Sequence, residues 1–345
     1  MRIIAIEEHW TTSGIDRALR AQPAGIKDES VLLNDRGDIP ARLLDIGEQR
    51  VGAMDAAGID VQILSIAPPG THGLPAVEAA ALSRDANDRA SEAVGRYPTR
   101  LRAMTTLPMS DPDAAVAELQ RTANAPAHVG IMSYGRSGAR PLDDPVYNEL
   151  LAVAATLRRP VFIHPQIPPN AVREASYRGF DPSTELALAT FGWGWHIEAG
   201  LAALRLIVRG TFDRHPDLQI VLGHWGEMLL FALDRIDSLS NVATHLERRV
   251  GEYFQSNVHI ATSGMLTPRL LSHALDFTSV DRILLSGDYP FHPLDAATIA
   301  DFLAALPDRA DQQKVAHANA EVLYGLERPP SRADDPAAPP LQEQS

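Results

Sequence analysis

The chain has 345 residues, 45% of them hydrophobic and 22% charged, enough apolar material for a large core. Lys and Arg number 31 against 44 Asp and Glu, a formal net charge of −13 that argues against nucleic acid or an anionic membrane surface as the main partner. Cysteine is absent while histidine occurs 12 times, which excludes disulfides, Cys-ligated metal and thiol nucleophiles and leaves any metal to His, Asp and Glu.

In chain order, the opening MRIIAIEEH turns acidic too soon for a secretory signal. Residues 2–7 form the first of a series of short β-branched runs, which continue at 60–66, 101–107, 128–133, 161–164, 219–223, 258–262 and 282–286. Most are nearly all apolar, as expected for parallel strands covered on both faces. Between them lie segments with a helical period, at 42–57, 75–94, 113–123, 147–157, 197–209, 268–275 and 294–306. Asp111-Pro112 supplies an N-cap and a proline at the first helical position for the third of these. Residues 11–40 make a long polar connection, expected to be an ordered loop over the active-site end. The most apolar stretch, 186–208, is interrupted by His196, Glu198 and Arg205, so no membrane span is expected and the cytoplasm is the expected setting.

Eight strands alternating with helices predict an α/β fold, a (β/α)8 TIM barrel. No G-x-G-x-x-G follows an early strand, which disfavours a doubly wound nucleotide-binding sheet. The barrel is expected to be a single domain over residues 1–325. The Pro- and charge-rich end, 326–345, is read as a flexible or oligomer-contacting tail.

The strand ends carry the chemistry. The first ends in Glu7-Glu8-His9, the fifth in His164, the sixth in His224-Trp225-Gly226-Glu227 and the eighth in Asp288. In a parallel barrel all of these lie at the C-terminal rim, where barrel enzymes place their sites. Ionisable groups directly after apolar strands are costly unless satisfied, and a cation would satisfy several at once. Glu7 and His9, at i and i+2, are expected on one face of a strand, with Glu8 turned away. An N/O donor set of this kind suits Zn²⁺, Mn²⁺ or Fe²⁺. The other histidines are read as structural or solvated, except that His196, beside two tryptophans, is a candidate to line a pocket.

The stretches IIAIEEH, ANDRASEAVGRYPTRLRAMTTLPMSDPDAAVAELQR, VFIHP, GTFDRHPDLQIVLGHWGE and DRILLSGDYPF, in this order, resemble the amidohydrolase-2 branch of the amidohydrolase superfamily. This is the metal-dependent hydrolase type of barrel, in the group of aminocarboxymuconate-semialdehyde decarboxylase. Within it the chain is similar to γ-resorcylate, 2,3-dihydroxybenzoate and 5-carboxyvanillate decarboxylases. The resemblance implies Glu7, His9, His164 and Asp288 as ligands of one divalent ion, Zn²⁺ or Mn²⁺, with Mg²⁺ a further option. It implies His224 as the acid/base histidine and Glu227 as the carboxylate that orients it. Asp288 is the expected proton donor. Arg235, reaching across a subunit interface in relatives, and Phe291 are implied near the substrate, and the chain's own Trp195 and Tyr134 join them as substrate-binding candidates.

The pattern departs from relatives at Ser133-Tyr134-Gly135, where many carry Val-Asn-Gly, and at Gly287 and Tyr289, where many carry Thr and Trp. The implied reaction is non-oxidative decarboxylation of a small hydroxyaromatic or related unsaturated carboxylic acid, in a homodimer or homotetramer. Hydrolysis or hydration of a lactone, amide or double bond on the same scaffold is the alternative. A non-catalytic metal-binding barrel is the remote one.

Overall fold

The computed structural model describes residues 1–326 apart from 24 and 293, so the expected tail from 327 onward lies outside the described residues. Eight parallel strands follow one another around a barrel in sequence order. They are β1 (Ile4–Trp10), β2 (Val61–Ile66), β3 (Leu101–Thr106), β4 (His128–Tyr134), β5 (Val161–His164), β6 (Ile220–Leu222), β7 (Val258–Ala261) and β8 (Ile283–Leu284). A bridge between Ile6 and Ser286 brings the last strand back to the first, and the Ile6 N–H donates to the Leu285 carbonyl at 3.2 Å. The fold is the expected (β/α)8 barrel.

The strands are short, Val/Ile/Leu-rich and buried, because each is covered by its neighbours inside the barrel and by helices outside. The covering helices include Ala76–Arg96, Pro112–Ala123, Asn148–Thr156 and Gly194–Val208. As predicted, Asp111 caps the second of these by accepting from the Ala114 N–H at 3.1 Å. At the start of β8, Asn319 closes the floor: its Nδ2 donates to the carbonyls of Val280 and Ile283, both at 2.8 Å.

Two local expectations differ from the structure. The helix read over 42–57 is broken into Ile39–Leu44 and Glu48–Ala57. Asp45 breaks it: its carboxylate accepts from the Gly47 N–H at 3.3 Å and the Arg50 N–H at 2.6 Å, offering the backbone an alternative to the helical ladder. The long connection after β1 is ordered, and is largely helical rather than a plain loop. It holds Ser13–Ala21, capped by Thr12, and a 3₁₀ turn at Glu29–Asp35, capped by Asp28. No helix among the described residues is long and apolar enough to cross a membrane.

Candidate metal centre and its cavity

β1 does not run to its end as a regular strand. Its register with β2 steps from Ala5 opposite Gln62 to Glu8 opposite Leu64, so one extra residue is accommodated. Glu7, in that bulge, has φ of +64°. Simple alternation therefore does not explain how Glu7 and His9 reach the same place: the bulge turns Glu7 inward. Glu8 is turned away, as expected. Its carboxylate accepts from Gln62 Nε2 at 2.9 Å and from the Gly287 N–H at 2.7 Å. Burial pushes Glu8 up to about 8, against the pull of that N–H and of Arg50.

Glu7, His9, His164 and Asp288 are buried, and one donor atom from each falls within 4.8 Å of the others. The surroundings leave one atom of Glu7, of His164 and of His9 turned to this centre. Glu7 Oε2 accepts from the hydroxyls of Ser263 and Ser286, while Oε1 is buried with no partner. His164 Nδ1 lies 2.7 Å from the Pro165 carbonyl and so carries the hydrogen, leaving Nε2 bare, 3.6 Å from Glu7 Oε1. His9 Nδ1 lies 3.1 Å from Ser65 Oγ, and its Nε2 faces Asp288 Oδ1 at 3.2 Å. Outer hydrogen bonds of this kind aim imidazoles and carboxylates at a metal.

The electrostatics agree. Burial pushes Glu7 up to about 7, with Asp288 adding to the rise. Burial pulls His164 down to about 3, keeping it neutral. Two crowded carboxyls and two imidazoles with a buried, unpartnered oxygen form a donor set that fits a divalent ion.

A second cluster stands beside the first. His224 Nδ1 and Glu227 Oε1 are 2.8 Å apart. Burial disfavours charge on His224, but the Glu227 carboxylate, with Glu7 and Asp288, outweighs it and raises His224 to about 10. Burial likewise opposes charge on Glu227, yet His224 and His196 bring it down to about 2. His196 belongs to this cluster, with Nδ1 at 2.8 Å from Glu227 Oε2.

A cavity of about 380 Å³ opens over both clusters. His9, His164, His224 and Asp288 form its floor side, and Phe191, Trp195, His196, Phe291 and His292 contribute to its walls. Ser30, Leu33, Asn34, Arg36 and Ile39 cover it from the connection after β1, which is where that segment was expected. Trp195 Nε1 is buried with no partner. Two candidates fall elsewhere. Tyr134 is buried beneath the site, its hydroxyl donating to the Ile66 carbonyl at 2.9 Å and its ring edge-on to His164. Arg235, in Leu233–Ile236, is exposed and does not line the cavity.

The sequence reading missed Ser263 and Ser286, which occupy one oxygen of Glu7, and the pairing of His196 with Glu227. Ser286 ends a strand segment beside Asp288, a usable signal. Nothing local marked Ser263.

Comparison with known proteins points one way. The amidohydrolase family model matches residues 36–326. The chain is 36% identical over 341 residues to γ-resorcylate decarboxylase of Rhizobium radiobacter, covering 94% of this chain and 98% of that one. Among solved structures it is similar to a dihydroxybenzoic acid decarboxylase from Polaromonas sp. JS666 with bound manganese and 2-nitroresorcinol. There the TM-score is 0.82 at 32% identity, over 95% of this chain and 98% of that one. It is also similar to 5-carboxyvanillate decarboxylase from Sphingomonas paucimobilis, with a TM-score of 0.85 at 29% identity, over 94% of this chain and 99% of that one. The chain therefore belongs to the amidohydrolase family.

Proposed function

We propose that this chain is a divalent-metal-dependent, non-oxidative decarboxylase, a carboxy-lyase acting on a small hydroxyaromatic carboxylic acid. The observation that carries this reading is the buried Glu7–His9–His164–Asp288 cluster beneath a cavity walled by Phe191, Trp195 and Phe291. Relatives and structural neighbours that decarboxylate γ-resorcylate, dihydroxybenzoate and 5-carboxyvanillate support the reaction class.

Glu7, His9, His164 and Asp288 would hold Mn²⁺ or Zn²⁺, which when bound would supply a Lewis acid that stabilises negative charge on the substrate's oxygens. The aromatic wall holds the ring. Decarboxylation needs a proton on the ring carbon that bears the carboxyl group. The carbon–carbon bond then breaks, its electron pair returns to the ring and carbon dioxide leaves. We assign delivery of that proton to Asp288. Burial would raise its carboxyl, but His9, His224 and His292 hold it below the usual range. Asp288 takes its proton from His224 or from the substrate's hydroxyl before it protonates the ring.

Arg235 lies outside the cavity of its own chain, so its substrate role requires a second subunit. A homodimer or homotetramer, the single-barrel organisation over 1–325 and a cytoplasmic setting are parts of the same proposal. The test is incubation of the Mn²⁺-loaded protein with a panel headed by 2,6-dihydroxybenzoate, read as carbon dioxide release and, in excess bicarbonate, as carboxylation of the phenol. No reaction in either direction, together with opening of lactones or amides, overturns the reading.

A further inference from the structure

The Glu227 carboxylate is divided between two imidazoles. Its Oε1 takes His224 Nδ1 and its Oε2 takes His196 Nδ1, each at 2.8 Å. The other nitrogen of His196, Nε2, lies 3.1 Å from the Phe191 carbonyl. An ionised carboxylate and a peptide carbonyl are both acceptors and donate nothing. The contact with the Glu227 carboxylate therefore needs hydrogen on His196 Nδ1.

The backbone is arranged for this approach. His196 sits in the first turn of the helix Gly194–Val208, and Gly200 is four residues on, on the same face. A Cβ on Gly200 would stand 2.7 Å from the Glu227 carbonyl oxygen. Only a residue without a side chain lets this helix pack so closely against the turn that carries Glu227. The ring centroids of His196 and His224 are 4.8 Å apart, edge to face, with the carboxylate joining their Nδ1 atoms.

We propose that His196 is a positioning residue for the decarboxylase reaction, a donor that clamps Glu227 so that its other oxygen holds His224 with Nδ1 protonated and Nε2 left for the cavity. Two donors on one buried carboxylate fix its rotation better than one. The effect on turnover rests on the reading of the function given above. The clamp itself does not, because it is visible without turnover.

The experiment compares the wild type with His196→Leu and His196→Gln by nitrogen-15 NMR of the histidine rings in the diamagnetic Zn²⁺-loaded form and by turnover of 2,6-dihydroxybenzoate in the Mn²⁺-loaded form. In the wild type, His196 and His224 each show a protected Nδ1–H. In His196→Leu that His224 signal is lost to exchange, and kcat falls ~10-fold or more while KM stays within ~3-fold. In His196→Gln, whose amide still donates to Oε2, the signal returns and most of kcat with it. A bare Nδ1 on wild-type His196 overturns the proposal whatever the variants do, including a Leu variant that does not fold. So does an unchanged His224 signal in the Leu variant, or a Gln variant no better than Leu. Absence of turnover by the wild type counts instead against the decarboxylase reading, and the NMR result then decides the clamp alone.

Discussion

Gly287 leaves its β-carbon position to a carboxylate: Glu8 Oε1 lies 2.6 Å from where that carbon would stand. The two residues thus form a matched pair, and the glycine found where many relatives carry threonine has a local reason. Gly287→Thr is expected to cost about 2–3 kcal/mol of stability, read as a lower urea midpoint, because a side chain is forced against a buried acid. An unchanged midpoint would mean that Glu8 swings aside. At the metal centre, His164→Ala removes a donor, and metal content after dialysis is expected to fall by at least about 10–100-fold in affinity. His224→Asn is expected to keep its metal and lose about 10²–10⁴ in kcat. Metal retained in the first variant or turnover in the second contradicts the assigned roles. These residues were legible because each follows an apolar strand and so cannot be an ordinary core position. His196 was only half legible, since its partner is fixed by how closely one helix approaches a turn.

Among the eight non-glycine residues with positive φ in the described chain, all but Arg158 belong to the mouth of the barrel: Glu7, His224, Trp225, Glu227, Met228, Ser263 and Asp288. The turn from His224 to Met228 is left-handed throughout, with Gly226 at φ +85° and the others between +44° and +67°. For L-residues this costs roughly 1–2 kcal/mol each, so the surrounding contacts must hold it. The His224 N–H donates to Ser263 Oγ at 2.8 Å, and Trp225 Nε1 donates to the Met265 carbonyl at 2.8 Å. The Glu227 carboxylate adds its two imidazoles. Met228, partly exposed at the end of the turn, is where strain can be relieved most simply. Met228→Gly is expected to stabilise the protein by about 0.5–1 kcal/mol, seen as a higher thermal midpoint. A lower midpoint would show that its side chain contributes more than its backbone costs. In the sequence, HWGE reads as an ordinary i, i+3 pair. Its hand of coiling is invisible there.

Across the whole molecule, the buried neutral histidines away from the metal centre set the acid limit. Burial pulls His72 and His128 each down to about 4 from 6.5. The folded state therefore binds fewer protons than the unfolded chain between these values. Their contribution is fully present above pH 6.5 and is lost as pH falls toward 4. At pH 5 the loss is on the order of 2 kcal/mol for each. Urea unfolding at pH 7.5 and pH 5 is expected to show the decline, and His128→Asn to flatten it. An equally steep decline in that variant would place the acid sensitivity elsewhere.

The amino-acid sequence by itself determined the barrel, because eight apolar runs alternating with amphipathic helices bury their faces well in few other ways. It also determined the donor types at the rim, because ionisable groups at apolar strand ends need a partner that composition restricts to N/O ligation. Tertiary structure alone decided the rest. The bulge that turns Glu7 inward, the left-handed turn that pairs His224 with Glu227, and the close approach at Gly200 that adds His196 all store backbone strain or need contact between distant segments. Such features have no period and no local propensity, so they exist only once the barrel has closed around them.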